Sequence, residues 1–185
     1  MTSLGADCGL RGPAVNAGDG DGFLVGLDKF LGIGNPVPRV AVLGIGNELS
    51  GDDAVGAQIA RELASRLGPR PDCLVLDAGT APENFTGPIR RFRPDLVLLV
   101  DAAHLSEEPG TIAWLDWHQT DGLSGSTHTL PPSVLAQFLV EEMACPLALL
   151  VVQPAQLEFG CPLSAPVREA ADRVVEGLVV ALCRS

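Results

Sequence analysis

Two hydrophobic rhythms alternate along the chain. Val40–Leu43 is a short aliphatic run that stops at Gly44, the mark of a buried strand. Val55, Ile59, Leu63 and Leu67 then recur on one helical face. The start of that helix falls near Asp52-Asp53, where acidic side chains can cap free N–H groups, and Gly68-Pro69 closes it. The pattern repeats: a strand over Cys73–Leu76 ending at Asp77, a helix over Pro82–Phe92, a strand over Asp95–Asp101. A strand near the sheet edge is expected over Thr111–Leu115. A helix follows from Ser133 to about Met143, then a strand over Leu147–Val152 and a last helix over Ser164–Leu182. Ahead of these elements, Phe23, Leu24, Leu27, Phe30 and Leu31 have helical spacing. Residues 1–21, rich in Gly, Ala and Asp, have no periodicity and read as a disordered tail. The organisation expected is a tail over 1–21, a short helix and linker over 22–38, and a single domain over 39–185. Strands alternating with helices imply an α/β fold: a three-layer α/β/α sandwich around a twisted, mostly parallel sheet.

Composition sharpens this. Aromatics make up 4% of the chain and tyrosine is absent, so the core must be aliphatic, as suits strands buried on both faces. A formal charge of -11 argues against nucleic acid, whose binding needs Lys and Arg to neutralise phosphates, and against anionic membrane surfaces. Apolar runs such as Leu96–Val100 fall short of the ~20 residues a membrane span needs. No basic cluster precedes an apolar stretch near the start, so no secretory signal is expected. Cys8, Cys73, Cys145, Cys161 and Cys183 are scattered, odd in number and without a C-x-x-C pair. They read as free thiols in a reducing compartment, the cytoplasm.

In open parallel sheets ligands bind beyond the carboxyl ends of the strands, so the polar residues there are the candidates. Three chemistries compete. A dinucleotide fold would use Gly44-x-Gly46, but the third glycine of its fingerprint falls on Leu49, and two carboxylates stand where a pyrophosphate would lie. Nucleophilic catalysis finds neither G-x-S-x-G nor a P-loop lysine. Ser50 and Ser126 have no local base, and Cys73 and Cys145 read as buried structural thiols. The third is a site of two carboxylates and one imidazole: Asp53 beside one strand end, Asp101 at another, and His128 reaching in from a long loop. Such oxygen and nitrogen donors suit Zn, Ni, Fe or Co, and three protein ligands leave positions open for substrate or water. Taken singly, Asp53 also reads as a helix cap, Asp101 as a strand-end turn residue and His128 as a surface histidine.

The strings themselves add a family. Val42-Leu43-Gly44-Ile45-Gly46-Asn47-Glu48-Leu49-Ser50-Gly51-Asp52-Asp53-Ala54-Val55-Gly56 resembles the N-terminal signature of hydrogenase maturation proteases. Asp77-Ala78-Gly79-Thr80-Ala81-Pro82-Glu83-Asn84 looks like the branch serving hydrogenase 3-type enzymes. Val100-Asp101-Ala102, Thr127-His128-Thr129-Leu130-Pro131 and Gln153-Pro154 follow in matching order, so the resemblance spans roughly residues 39–182. It implies an endopeptidase that removes the C-terminal extension of the [NiFe]-hydrogenase large-subunit precursor once nickel is inserted. Nickel would then come with the substrate rather than as a resident cofactor, and the enzyme would be a monomer. By the same resemblance the metal-recognising and catalytic residues are Asp53, Asp101 and His128. Asn47, Glu83 and Gln153 are candidates for orienting substrate or for satisfying local backbone. His104, close to Asp101, is a second candidate ligand, and His118 matches no family position. Two other functions stay open: a non-catalytic nickel-binding accessory protein using the same three residues, and an exopeptidase carrying its own metal.

Overall fold

A computed structural model describes Phe23, Gly26 and residues 38–115 and 145–183. The tail over 1–21, most of the expected helix and linker over 22–38, the helix over Ser133–Met143, and His118, Ser126 and His128 lie outside the described residues. Among the described residues five strands form one sheet: β1 (Val40–Ile45), β2 (Cys73–Gly79), β3 (Leu96–Ala102), β4 (Ile112–Leu115) and β5 (Leu147–Val152), in the order β2-β1-β3-β5-β4. All neighbours are parallel except β4, which runs antiparallel to β5 at one edge. Three helices are described: α1 (Val55–Leu67), α2 (Thr86–Phe92) and α3 (Ala165–Leu182). A 3-10 turn precedes each of the first two, at Gly51–Ala54 and Pro82–Phe85. The expected helix over Pro82–Phe92 is thus a tight turn running into a short α-helix, and β2 continues three residues past Leu76.

Period-two alternation sorts the strands onto two cores. Val40, Val42, Leu98, Val100, Leu150 and Val152 face one way, against Val55, Ile59 and Leu63 of α1 and Val167, Val174 and Leu178 of α3. Ala41, Leu43, Val97, Leu99, Leu149 and Val151 face the other, against Ile89 and Phe92 of α2. This is the three-layer sandwich expected, and its chirality explains the helix placement. The crossover from β1 to β2 steps one way along the sheet, and that from β2 to β3 steps back across β1. Right-handed connections therefore put α1 and α2 on opposite faces. Phe23 is helical and buried within the first core, and its carbonyl accepts the Trp114 indole N–H at 2.9 Å.

Helix α1 approaches the sheet closely because two glycines face each other. A Cβ on Gly56 would lie 2.2 Å from the Val100 carbonyl oxygen and 2.3 Å from that of Ile45; one on Gly44 would lie 2.0 Å from the Gly56 carbonyl oxygen. These obstacles are backbone and cannot swing aside. Gly56→Ala must push the start of α1 off the ends of β1 and β3. We expect it to cost about 2–4 kcal/mol by urea unfolding, at or above the usual range for overpacking. An unchanged midpoint would show that the helix start is not pinned there.

Candidate active site

The strand order reverses between β1 and β3: from β1 the chain turns to β2 on one side and later to β3 on the other. A crevice opens beyond the carboxyl ends of such a pair. The Gly44–Asp53 loop leaves β1 at this point, and Asp101 lies near the end of β3. Gly46, with φ +147, lets the loop double back; a Cβ there would lie 1.8 Å from the Asp53 carbonyl oxygen. The 3-10 turn that carries Asp53 is thereby laid over the strand ends.

The adjacent carboxylates of this turn do different work. Asp52 is fully buried and turns away from the crevice. Its Oδ2 accepts the N–H groups of Ala155 at 2.8 Å and Gln156 at 3.0 Å, and the Ser164 hydroxyl at 2.9 Å. Its Oδ1 accepts the Ser164 N–H at 2.6 Å. It therefore ties the β1 loop to the segment after β5 and to the residue that opens α3. The expectation that this acidic pair caps its own helix gives way here. Neither Ser50 nor Ala54 makes a side-chain cap, and the Asp52 carboxylate serves amides more than a hundred residues away.

Asp53 is 7% exposed. Its Oδ2 accepts the Asn47 N–H at 3.0 Å. Burial pushes its pKa above the ordinary carboxylate value, against the pull of that N–H. Asp101 accepts the Ala102 N–H on Oδ1 at 2.8 Å and is partly exposed at the rim. Desolvation, the largest cause, raises its pKa to about 7; the Ala102 N–H opposes this, and the nearby Asp53 charge adds to it. The two carboxylates thus feel each other. Among the described residues, each has one oxygen fixed by backbone and one left over, a fitting pair of donors for a cation brought in from outside.

The other candidates separate. Among the described residues no group of three His, Cys, Asp or Glu side chains is placed to hold a metal ion, so His104, exposed on the loop after β3, does not complete the pair. Gln153 is buried with both amide ends engaged: its Oε1 accepts the Leu105 N–H at 2.6 Å and its Nε2 donates to the Pro154 carbonyl at 3.0 Å. It is a brace for the β3 loop. Asn47 likewise spends its side-chain oxygen on the Leu49 N–H at 3.0 Å, and Glu83 is exposed. Burial lifts the Cys73 and Cys145 thiols to about 11, which keeps them protonated and unfit as nucleophiles. The dinucleotide reading fails too, because the Asp53 carboxylate already occupies the loop amide of Asn47 that a phosphate would seek.

The family model for HycI hydrogenase maturation proteases matches residues 57–181. This chain belongs to the hydrogenase maturation protease family. It is accordingly a peptidase. The hydrogenase 3 maturation protease of Escherichia coli K12 is 32% identical over 138 residues, covering 74% of this chain and 86% of its own. The crystal structure of the [NiFe] hydrogenase maturation protease HycI from Thermococcus kodakarensis superposes with a TM-score of 0.71 at 36% identity, covering 78% of this chain and 92% of that one. The E. coli hydrogenase maturating endopeptidase HybD gives 0.66 at 29% identity, covering 78% and 91%. The family match begins just after Asp53, and its span includes Asp101 and His128. Among the described residues no helix of this family member is long and apolar enough to cross a membrane.

Proposed function

We propose that this peptidase removes the C-terminal extension of a nickel-loaded [NiFe]-hydrogenase large-subunit precursor, and that Asp53, Asp101 and His128 face the nickel. The observation that carries this is the pair of carboxylates at the switch point, each anchored through one oxygen with the other left for a cation. Nickel arrives as part of the substrate, so an empty precursor lacks its main contact and cleavage waits for metal insertion. Asp101, titrating near neutral pH, is suited to take a proton from an attacking water. The reaction would run in the cytoplasm, with the enzyme as a monomer. The four described cysteines, all free, are in keeping with a reducing compartment.

The test is the mass of the precursor before and after incubation, with and without nickel. Parent enzyme should shorten only the loaded form. Asp53→Ala, Asp101→Ala and His128→Ala should each slow cleavage by at least about a thousandfold while keeping the far-ultraviolet circular dichroism spectrum. Undiminished processing by His128→Ala would remove the imidazole from the site. Binding of the loaded precursor without any mass loss would instead favour an accessory, non-catalytic role.

A further inference from the structure

Three large apolar side chains stand out into solvent among the described residues: Leu49 at 56% exposure, Phe159 at 79% and Val180 at 52%. Single exposed apolar residues are ordinary on protein surfaces. Leu49 and Phe159 differ because the backbone ties them together and ties both to the candidate site. The Asp53 carboxylate takes the Asn47 N–H, the Asn47 side-chain oxygen takes the Leu49 N–H, and the Leu49 carbonyl takes the Gly160 N–H at 2.7 Å. A hydrogen-bonded path thus runs from the carboxylate to both apolar side chains.

Both are also held in their exposed positions. Leu49 sits in a turn closed by Ser50 N–H donating to the Asn47 carbonyl at 3.0 Å. Phe159 sits in a turn over Glu158–Cys161, where the Cys161 N–H meets the Glu158 carbonyl at 3.3 Å and Gly160 takes φ +77. The positive φ at the third position is one that glycine adopts without steric cost, so the turn is locally favoured. The two loops are clamped again by the Asp52 N–H donating to the Gln156 carbonyl at 2.9 Å, beside the Asp52 carboxylate bonds. These bonds fix the backbone that carries both side chains.

Resting on the reading proposed above, we infer that Leu49 and Phe159 form a preorganised apolar docking contact for the precursor, gripping apolar side chains of its C-terminal segment beside the scissile bond. The exposed carboxylate of Glu158 stands beside Phe159, whereas that of Glu48 is already paired with Arg61; the acidic charge left next to Phe159 suits a segment with a basic side chain beside its apolar ones. Recognition then has two parts: the carboxylates and imidazole meet the metal, and the apolar pair aligns the chain to be cut. Because the contact is held equally in the bound and reacting states, its loss should raise KM and spare kcat.

The experiment is steady-state cleavage of nickel-loaded precursor by parent, Leu49→Ser, Phe159→Ser, the double variant and Val180→Ser. Val180 lies near the end of α3, whose next residues reach Arg70 beside the amino end of β2, away from the candidate site at the carboxyl ends of the strands, which makes it the control. We expect KM to rise by roughly tenfold for each rim substitution, as for loss of one buried aliphatic or aromatic contact, with kcat and the thermal midpoint held. Val180→Ser should leave KM unchanged. An unchanged KM in the double variant, or an equal rise with Val180→Ser, overturns the docking contact while leaving the cleavage reaction standing. Failure of the parent enzyme to cut any loaded precursor removes the protease reading itself, together with the docking contact that depends on it.

Discussion

Asp52→Ala is expected to strip most of the stability from this protein, whereas Asp53→Ala, one residue on, should leave it folded and inactive. Removing the Asp52 side chain leaves the Ala155, Gln156 and Ser164 N–H groups without their acceptor, along with the Ser164 hydroxyl. Hydrogen bonds to a charged group are worth about 1.5–3 kcal/mol each, and the loss of several that share one carboxylate should cost on the order of 4 kcal/mol. For a domain of this size that lowers Tm by roughly 10 °C. Asp53 makes one backbone bond and is destabilised by its own burial, so its removal should shift Tm by no more than about 2 °C. Thermal unfolding of both variants, alongside precursor cleavage, checks the split. Equal loss of stability in the two would mean that the turn acts as one structural unit.

Asp101→Asn should abolish cleavage and at the same time stabilise the protein, with a sign that depends on pH. The folded state raises the Asp101 pKa from 3.8 to about 7, so it binds this proton more tightly than the unfolded chain does. Its stabilising effect is complete below about pH 4 and is lost as pH rises to 7. Above pH 7 the partly desolvated charge carries its full cost. At 1.36 kcal/mol per unit, that amounts to up to about 4 kcal/mol. Asparagine keeps an oxygen for the Ala102 N–H and carries no charge. Asp101→Asn should therefore raise the unfolding free energy by a few kcal/mol at pH 8 and by close to nothing at pH 4. A difference that does not vary between these pH values would mean that Asp101 ionises freely in the fold. A gain in stability on removing a charged group, coupled to loss of activity, is what a site strained for function should give.

Much of the architecture was legible in the linear pattern. The aliphatic runs at Val40–Leu43, Leu96–Val100 and Leu147–Val152 read as strands buried on both faces, and the spacing of Val55, Ile59 and Leu63 as a helix, and the fold has both. The strand expected near the sheet edge over Thr111–Leu115 is the edge strand β4. Within the Val42–Gly56 string that resembles the family, Gly44, Gly46 and Gly56 stand where backbone approaches too closely for a Cβ.

Three assignments needed the folded chain. Gln153 reads equally as a substrate contact or a partner of local backbone, and the fold spends its amide on Leu105 and Pro154. Leu49 and Phe159, 110 positions apart, acquire a common role only through the bond from Gly160 to the Leu49 carbonyl. Nothing in the dipeptide Asp52-Asp53 says which carboxylate turns inward.

Layers and strand positions can be read along the chain, because periodicity records how much of each residue must leave water and that is a local property; the family comes from the motif strings instead. That Asp52 ties the β1 loop to the start of α3, while Asp53 keeps an oxygen free at the strand ends, emerges from the folded chain alone. The tertiary structure also decided that Asp101 titrates near neutral pH, and that two loops distant in the chain share one surface. Those outcomes depend on partners contributed by other strands, and on the dielectric they create together, neither of which has any period to read.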